Sequence, residues 1–249
     1  MPTATAAVGA VATPCRWVPT CARATICGSN RTSCRSSRWR SRSCGSPAAR
    51  SAVSSEPSRS SVDAISLALD AAVEALVDAV RAAGCEHPVV LIDGRSGAGK
   101  TTVARELVAR WPLPGNVQLI ALDSLYPGWD SLAAGAEYAR ERILEPHSRG
   151  IHGVWRRWDW EADERAETHE VDPALPLIVE GAGVLTPRSA ELADIRVWID
   201  APADTREARA IGRDGDAYRP HWTQWALQEE RHLADNRPRE LATHLFEVP

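Results

Sequence analysis

The first hydrophobic pattern in the chain begins near residue 61 and has the spacing of an α-helix. Apolar residues recur every three or four positions, at Ile65, Leu69, Val73, Leu76 and Val80. Acidic residues lie mainly on the other faces, and a glycine at position 84 follows the last apolar position, as is common at a helix C-terminus. The segment 61–84 is therefore predicted to be an amphipathic helix that packs on the domain after it. A partner-binding helix is the alternative.

Beyond this helix, short apolar runs alternate with longer segments of helical period. The apolar runs predict β-strands at 88–93, 117–122, 175–180, 195–199 and 243–248. The segments between them predict helices near 100–110, 131–144, 203–212 and 221–236. Short buried strands that alternate with helices are typical of a mostly parallel sheet covered on both faces. The predicted fold class is α/β, with three layers, a mostly parallel sheet of about five strands, and one domain over 61–249.

Residues 1 to about 60 differ in composition, being rich in Ser, Arg, Ala and Cys. They show no apolar period and cannot bury enough apolar surface to offset the entropy of ordering, so 1–60 is predicted to be a disordered tail. Five of the six cysteines lie there, without the paired spacing of a zinc site. Arg and Trp are interleaved in this tract, a pattern that would suit nucleic-acid binding. A solvated tail, or translated sequence upstream of the true start, is the preferred interpretation.

The overall composition argues against several classes of function. The chain of 249 residues has a formal net charge of −4 and an isoelectric point near 6.0, so it lacks the basic excess that drives nucleic-acid binding. No apolar run reaches the roughly 18 residues of a membrane-spanning helix, and the opening residues lack the basic start of a signal peptide. We therefore expect a cytoplasmic protein that acts on a small molecule, with neither nucleic acid nor a membrane as its partner.

Nearly all basic residues are arginine, and the exception stands in a phosphate-binding motif. The single lysine, Lys100, belongs to GRSGAGKT at 94–101, which fits G-x-x-x-x-G-K-[ST] at every fixed position. An apolar strand precedes the motif and a helical stripe follows it. At such a turn, main-chain N–H groups and the helix N-terminus surround phosphate oxygens. The alternative is a glycine-rich turn with a chance lysine.

This loop predicts an ATP site with bound Mg²⁺. Lys100 would reach the β- and γ-phosphates as a compact point charge, which the planar fork of arginine replaces poorly, and Thr101 would bind Mg²⁺. The residues predicted to bind the nucleotide are Gly94, Ser96, Gly97, Ala98, Gly99, Lys100, Thr101 and Thr102.

Two carboxylates follow later strands of the predicted sheet. Asp123 and Tyr126 come directly after the strand at 117–122, and Glu180 ends the strand at 175–180. Open α/β sheets bind ligands at this carboxyl edge. Asp123 could accept a proton from an attacking hydroxyl or contact the metal, and Glu180 could hold Mg²⁺ directly or through water. A helix cap is the alternative for each carboxylate.

These segments together resemble a known family. In order and spacing, GRSGAGKTT, LDSLY, WDWEADER, LIVEG and DTREARAIGRD are similar to the motifs of the uridine kinase and phosphoribulokinase-like P-loop kinases, over about residues 88–214. The resemblance implies a P-loop NTPase fold, Mg·ATP as phosphate donor and a hydroxyl acceptor. It also implies that Asp123 is the base for that hydroxyl and that Tyr126 lies close to it.

The resemblance further implies which residues face the acceptor and the phosphates. Trp158, Asp163 and Arg165 match the acceptor-facing element. Asp163 stands where the family has His, and Trp158 where it has Tyr, so the hydrogen bonds to the acceptor would differ. The lid arginines implied to close over the phosphates are Arg206, Arg209 and Arg213. A solvated helix face is the alternative for the lid.

Tryptophans crowd among charged residues in VWRRWDWEADER, at 154–165. Trp155, Trp158 or Trp160 could stack a ring of the acceptor, and a surface loop with its tryptophans turned into the core is the alternative. The sequence thus predicts a kinase that transfers the γ-phosphate of Mg·ATP to a hydroxyl of a nucleoside-like metabolite. A pantothenate-like, sugar-phosphate or antibiotic hydroxyl is a second possibility, and a non-catalytic ATP-binding regulator is a third.

Overall fold

The computed structural model describes residues 59–249, and the predicted tail lies outside the described residues apart from its last two positions. The strands are β1 Val89–Gly94, β2 Gln118–Ala121, β3 Gly153–Asp159, β4 Glu164–Val171, β5 Leu177–Glu180, β6 Ile195–Asp200 and β7 His244–Glu247. The helices are α1 Arg59–Ala82, α2 Lys100–Ala109, α3 Leu132–Ala139, α4 Glu145–Ser148, α5 Pro187–Ala190, α6 Ala203–Asp214, α7 Trp222–Asn236 and α8 Pro238–Leu241. Within 59–249, no helix combines the length and the apolar character needed to cross a bilayer.

Five strands form one parallel sheet in the order β2-β5-β1-β6-β7. They lie at the five predicted places, with ends shifted by no more than two residues, so the predicted α/β fold class is confirmed. Because β2, β5 and β1 are neighbours, their carboxyl ends meet at one edge of the sheet. The loop after β1, the end of β5 and the turn after β2 therefore lie side by side.

Helices cover both faces of the sheet, as the central strand β1 shows. Val90 and Ile92 pack into a core shared with α1 and α2, whereas Val89 and Leu91 pack into a second core with α3 and α7. On α1, the predicted apolar face is buried against the sheet and α2. The three layers of the α/β fold follow from this alternation, since successive side chains of a strand point to opposite faces.

An antiparallel hairpin, β3 paired with β4, stands outside the parallel sheet and is not predicted by the sequence pattern. Its turn spans 160–163, and its buried residues are few, with Gly153, Trp155 and Val171 facing the core. The remaining positions are largely charged and half-buried or exposed. The tryptophan-rich segment 154–165 therefore lies in a two-stranded hairpin and not in an irregular loop.

Candidate functional site

The phosphate loop connects β1 to α2 and has the backbone shape that its glycines predict. Gly97 and Gly99 have left-handed φ angles of 80° and 105°, and Gly99 is the N-cap of α2. A Cβ on Gly97 would overlap the main-chain oxygen of Arg206. Only glycine satisfies both the torsion and this close approach. The loop therefore ends at the N-terminus of a ten-residue helix, where anions are favoured.

Lys100 is buried at the first position of α2. Its Nζ donates a hydrogen bond to the main-chain oxygen of Arg95, 3.0 Å away, so the ammonium reaches back across the loop. Burial raises the pKa of Glu180, and the positive charge of Lys100 opposes this shift. On nucleotide binding, the ammonium could exchange the Arg95 carbonyl for a phosphate oxygen.

A hydroxyl and a carboxylate from different elements meet beside the loop. Thr101 Oγ1 donates a hydrogen bond of 2.9 Å to Glu180 Oε1. Glu180 is 3% exposed, and burial raises its pKa, while the negative charge of Asp123 raises it further. Hard oxygen donors of this kind suit Mg²⁺, which takes one or two protein ligands and completes its shell with water and phosphate. The pair fits a magnesium ion next to a bound nucleotide.

Asp123 lies in a short 3₁₀ turn, Leu122–Ser124, directly after β2. The residue is exposed, and its charge raises the pKa values of both Glu180 and Tyr126, which places its carboxylate near the phosphate-loop edge. The N-cap of this turn is Ala121 and that of α3 is Ser131. Asp123 is therefore not the N-cap of either helix, and its role as base stays a prediction.

Tyr126 is the most deeply placed of the predicted acceptor residues. Its hydroxyl donates a 2.7 Å hydrogen bond to the main-chain oxygen of Ala182, and its ring packs edge-on against Trp225 with centroids 4.8 Å apart. The side chain is 1% exposed, and burial raises its pKa well above the ordinary value. Because the side chain is almost fully buried, a direct contact with the acceptor would require the surrounding side chains to move.

The other predicted acceptor residues lie on the hairpin. Arg165 pairs across the strands with Trp158, and its guanidinium lies over the rings of Tyr138 and Trp158, at 4.0 and 5.5 Å from their centroids. Asp163 is exposed in the turn, with a left-handed φ of 54°. Aspartate tolerates this torsion better than most residues, so the turn gives a structural reason for it. Contact of these three side chains with an acceptor stays a prediction.

Trp160, at the tip of the hairpin, is the tryptophan that contacts the turn carrying Asp123. Its Nε1 donates a 2.8 Å hydrogen bond to the main-chain oxygen of Asp123, and Trp160 itself is 38% exposed. Behind it, Trp129 packs with its centroid 4.8 Å from that of Trp160 and stacks on His221 at 4.3 Å and 6°. Trp155 instead is buried, stacked on a histidine of β4. An aromatic wall therefore adjoins the predicted base.

The three predicted lid arginines occupy different places. Arg206 is buried under the phosphate loop, where Nε donates to Ala201 O at 3.0 Å. Arg209 donates to the main-chain oxygen of Pro249 at 2.7 Å. Arg213 is half-exposed and pairs with its chain neighbour Asp214, which raises its pKa, and the charge of Asp123 raises it also. Closure by Arg206 would require its guanidinium to leave a buried position.

Three buried polar residues near the loop make contacts that the sequence motifs do not indicate. Asp93 accepts hydrogen bonds from the N–H groups of Gly94, Gly183 and Leu185 and from His232 Nε2. Glu229 of α7 accepts from the main-chain N–H of Ser96 at 2.6 Å. Asp93 could have been noticed as the one charge in an apolar strand. Nothing in the helical segment QEERHL marks Glu229 or His232 as buried.

Comparisons with known proteins agree with this arrangement. No protein-family model matches the chain. The chain is 32% identical over 145 residues to a uridine kinase of Clostridium botulinum (strain 657), and the match covers 52% of this chain and 70% of that protein. It is 31% identical over 144 residues to a uridine kinase of Brevibacillus brevis, with 51% and 67% covered.

One solved structure supports the fold independently. A possible uridine kinase from Bacillus stearothermophilus superposes with a TM-score of 0.53 and 16% identity, over 73% of this chain and 98% of that one. At this identity the likeness bears on the fold alone.

Proposed function

The chain belongs to the uridine kinase-like family of P-loop kinases, and from this premise we propose that it transfers the γ-phosphate of Mg·ATP to a hydroxyl group of a small, nucleoside-like metabolite. The supporting observation is one cluster at the carboxyl edge of the sheet. The hydrogen-bonded pair Thr101 and Glu180 lies beside Lys100, with the exposed Asp123 close enough to influence the pKa of Glu180. In a P-loop kinase, groups of these kinds bind the phosphates, hold Mg²⁺ and take the proton of the acceptor hydroxyl.

Each group has a separate task in the proposed transfer. The loop N–H groups and Lys100 bind the phosphates, while Thr101 and Glu180 would hold Mg²⁺. Bound Mg²⁺ neutralises charge on the phosphate oxygens. The acceptor oxygen forms a bond to the γ-phosphorus as the bond to the bridging oxygen breaks, and ADP leaves. Asp123 takes the proton from the acceptor hydroxyl.

Arg213 is the lid residue best suited to the developing charge. Its pKa is raised by Asp214 first and by Asp123 also, and its side chain is 53% exposed. It could turn from Asp214 to the transferring phosphoryl group without crossing the core. A planar guanidinium matches phosphate oxygens well.

A flat acceptor suits the aromatic wall. An acceptor whose hydroxyl reaches Asp123 would lie close to Trp160, which is held by the Asp123 carbonyl and backed by Trp129. Stacking on such a surface favours a base or another ring over an aliphatic alcohol. This is why a nucleoside-like metabolite comes before a pantothenate-like, sugar-phosphate or antibiotic acceptor.

A coupled assay of ADP release over a panel of acceptors tests the proposal. The panel contains nucleosides, sugar phosphates, pantothenate-like alcohols and hydroxylated antibiotics, and each product is checked by mass spectrometry for one added phosphoryl group. Lys100→Met serves as the loss-of-function control because it keeps the length of the side chain. Acceptor-dependent ADP release with a phosphorylated nucleoside supports the proposal. Tight ATP binding without turnover on any acceptor would favour the regulator instead.

A further inference from the structure

Glu229 is a buried carboxylate that contacts the phosphate loop from outside. It lies on α7 and is 2% exposed. Its Oε1 accepts a 2.6 Å hydrogen bond from the main-chain N–H of Ser96, 133 residues earlier in the chain. Its Oε2 accepts from Arg95 Nε at 3.1 Å and lies 3.9 Å from Arg206 Nη1. One side chain thus contacts two consecutive residues of the loop and the helix that follows β6.

Both main-chain polar groups of Ser96 are bound from outside the loop. Glu229 takes the N–H, and Arg206 Nη1 donates to the carbonyl at 3.4 Å. The next residue, Gly97, approaches the main-chain oxygen of Arg206 so closely that no Cβ fits. The outer side of the loop is therefore held between α6 and α7. The other side of the loop leads into the N-terminus of α2, where an anion such as phosphate is favoured.

The charges in this cluster depend on one another. Burial and the neighbouring Arg95 lower the pKa of Arg206, and the charge of Glu229 opposes this. The carboxylate of Glu229 lies between the guanidinium groups of Arg95 and Arg206 and holds them near each other. Removing the negative charge would leave two buried or half-buried cations facing each other at the base of the loop. Loss of one member of such a cluster is costly, since its partners stay buried without compensation.

We propose that Glu229 is a positioning residue for nucleotide binding: together with Arg206 it holds Ser96 so that the loop is shaped for phosphates before ATP arrives. This inference rests on the proposed function for the identity of the ligand, but not on turnover. The phosphate loop binds through several N–H groups at once, so a small rotation of the loop weakens many hydrogen bonds together. A residue that never contacts ATP can then control its affinity.

The test compares Glu229→Gln with Glu230→Gln, its neighbour on the same helix. Glu230 pairs with Arg95 but is 58% exposed and makes no contact with Ser96. Calorimetry gives the dissociation constant for Mg·ATP, thermal unfolding gives the stability without nucleotide, and steady-state kinetics give KM for the acceptor. The double variant Arg206→Gln/Glu229→Gln removes both charges of the buried pair. It should therefore stay folded even if Glu229→Gln alone unfolds the chain.

We expect Glu229→Gln to weaken Mg·ATP binding by about tenfold, with acceptor KM unchanged, because glutamine keeps one oxygen for the Ser96 N–H but loses the charge and the second acceptor oxygen that Arg95 contacts. Glu230→Gln should stay within about twofold of the wild type. The double variant, which changes both side chains that contact the main chain of Ser96, should also bind Mg·ATP more weakly than the wild type. Unchanged Mg·ATP affinity in Glu229→Gln or in the double variant, with a lowered melting temperature, would overturn the proposal and leave Glu229 as a tether for α7. A wild type that binds Mg·ATP without turnover would contradict the kinase assignment, but it would leave this comparison intact.

Discussion

Thr101 and Glu180 are joined by a 2.9 Å hydrogen bond from hydroxyl to carboxylate, which links the start of α2 to the end of β5. The carboxylate is buried at the place where a nucleotide-bound cation is expected, and burial raises its pKa. Burial of a carboxylate weakens the fold unless neighbouring charges compensate for it fully, and a bound cation would add to the compensation that Lys100 gives. The charge of Glu180 should therefore affect both the stability of the nucleotide-free protein and its requirement for Mg²⁺.

Glu180→Gln should stabilise the nucleotide-free protein at neutral pH and above. Because the pKa is raised in the folded state, the unfolded chain releases this proton first, and stability falls as pH rises through the window between the two pKa values. Glutamine keeps the acceptor for Thr101 but carries no charge. The melting temperature should rise by a few degrees at neutral pH, and the gain should vanish at acidic pH where the carboxyl is protonated in both states.

The exposed Glu170 of β4 provides the control, since Glu170→Gln should shift the melting temperature little at any pH. Glu180→Gln should also need more Mg²⁺ for half-maximal turnover. A gain in stability that is independent of pH, or an unchanged Mg²⁺ requirement, would contradict this account of Glu180.

Nucleotide should protect Lys100 from chemical modification. Lys100 is the single lysine, so an amine-directed reagent has only this side chain and the α-amino group to react with. Labelling without nucleotide should be slow, because the side chain is 8% exposed and bonded to the Arg95 carbonyl. Mg·ATP should slow it further, while the α-amino group reacts at the same rate. Equal labelling of Lys100 with and without Mg·ATP, measured by peptide mass spectrometry, would exclude contact with the phosphates.

The sequence predicts the parallel sheet well because its central strands β1 and β5 are buried on both faces. The runs around Val90 and Ile178 are continuously apolar, and a signal of this kind depends little on distant residues. The phosphate loop is predicted equally well, because the torsion angles of Gly97 and Gly99 require glycine at these positions. Asp123 and Glu180 follow from the topology, because residues that end neighbouring parallel strands lie at the same edge.

The hairpin and the support of the loop depend on partners that are distant in sequence. In β3, Arg156 and Arg157 donate to residues of β4, and a charged ladder does not show the alternation of a half-buried strand. Glu229 resembles any solvated helical glutamate until α7 is packed against the loop. Arg206 has the spacing of a lid residue, but its burial is decided by the contact of α6 with the loop.

Trp160→Ala should raise KM for the acceptor much more than KM for ATP. The indole adjoins Asp123 and remains 38% exposed, so it offers a stacking face near the reacting hydroxyl. Loss of one stacked aromatic costs about 1–3 kcal/mol, which corresponds to a change of roughly tenfold or more. Trp155→Ala is the matched comparison because Trp155 is buried against His169, and it should lower the melting temperature instead. Equal effects of Trp160→Ala on both KM values would contradict an acceptor wall at the hairpin tip.

The most direct test of the kinase assignment is the turnover of Asp123→Asn at limiting and saturating Mg²⁺. Asparagine keeps the shape of the side chain but cannot take the hydroxyl proton, so phosphotransfer should fall by about 10²–10⁴-fold while Mg·ATP still binds. Asp130→Asn, on the same loop and bonded to Gln224, serves as control and should keep near wild-type turnover. Rescue of Asp123→Asn by added Mg²⁺ would identify Asp123 as a metal ligand rather than the base. Wild-type turnover at every Mg²⁺ concentration would contradict both roles, and with them the proposed place of phosphoryl transfer.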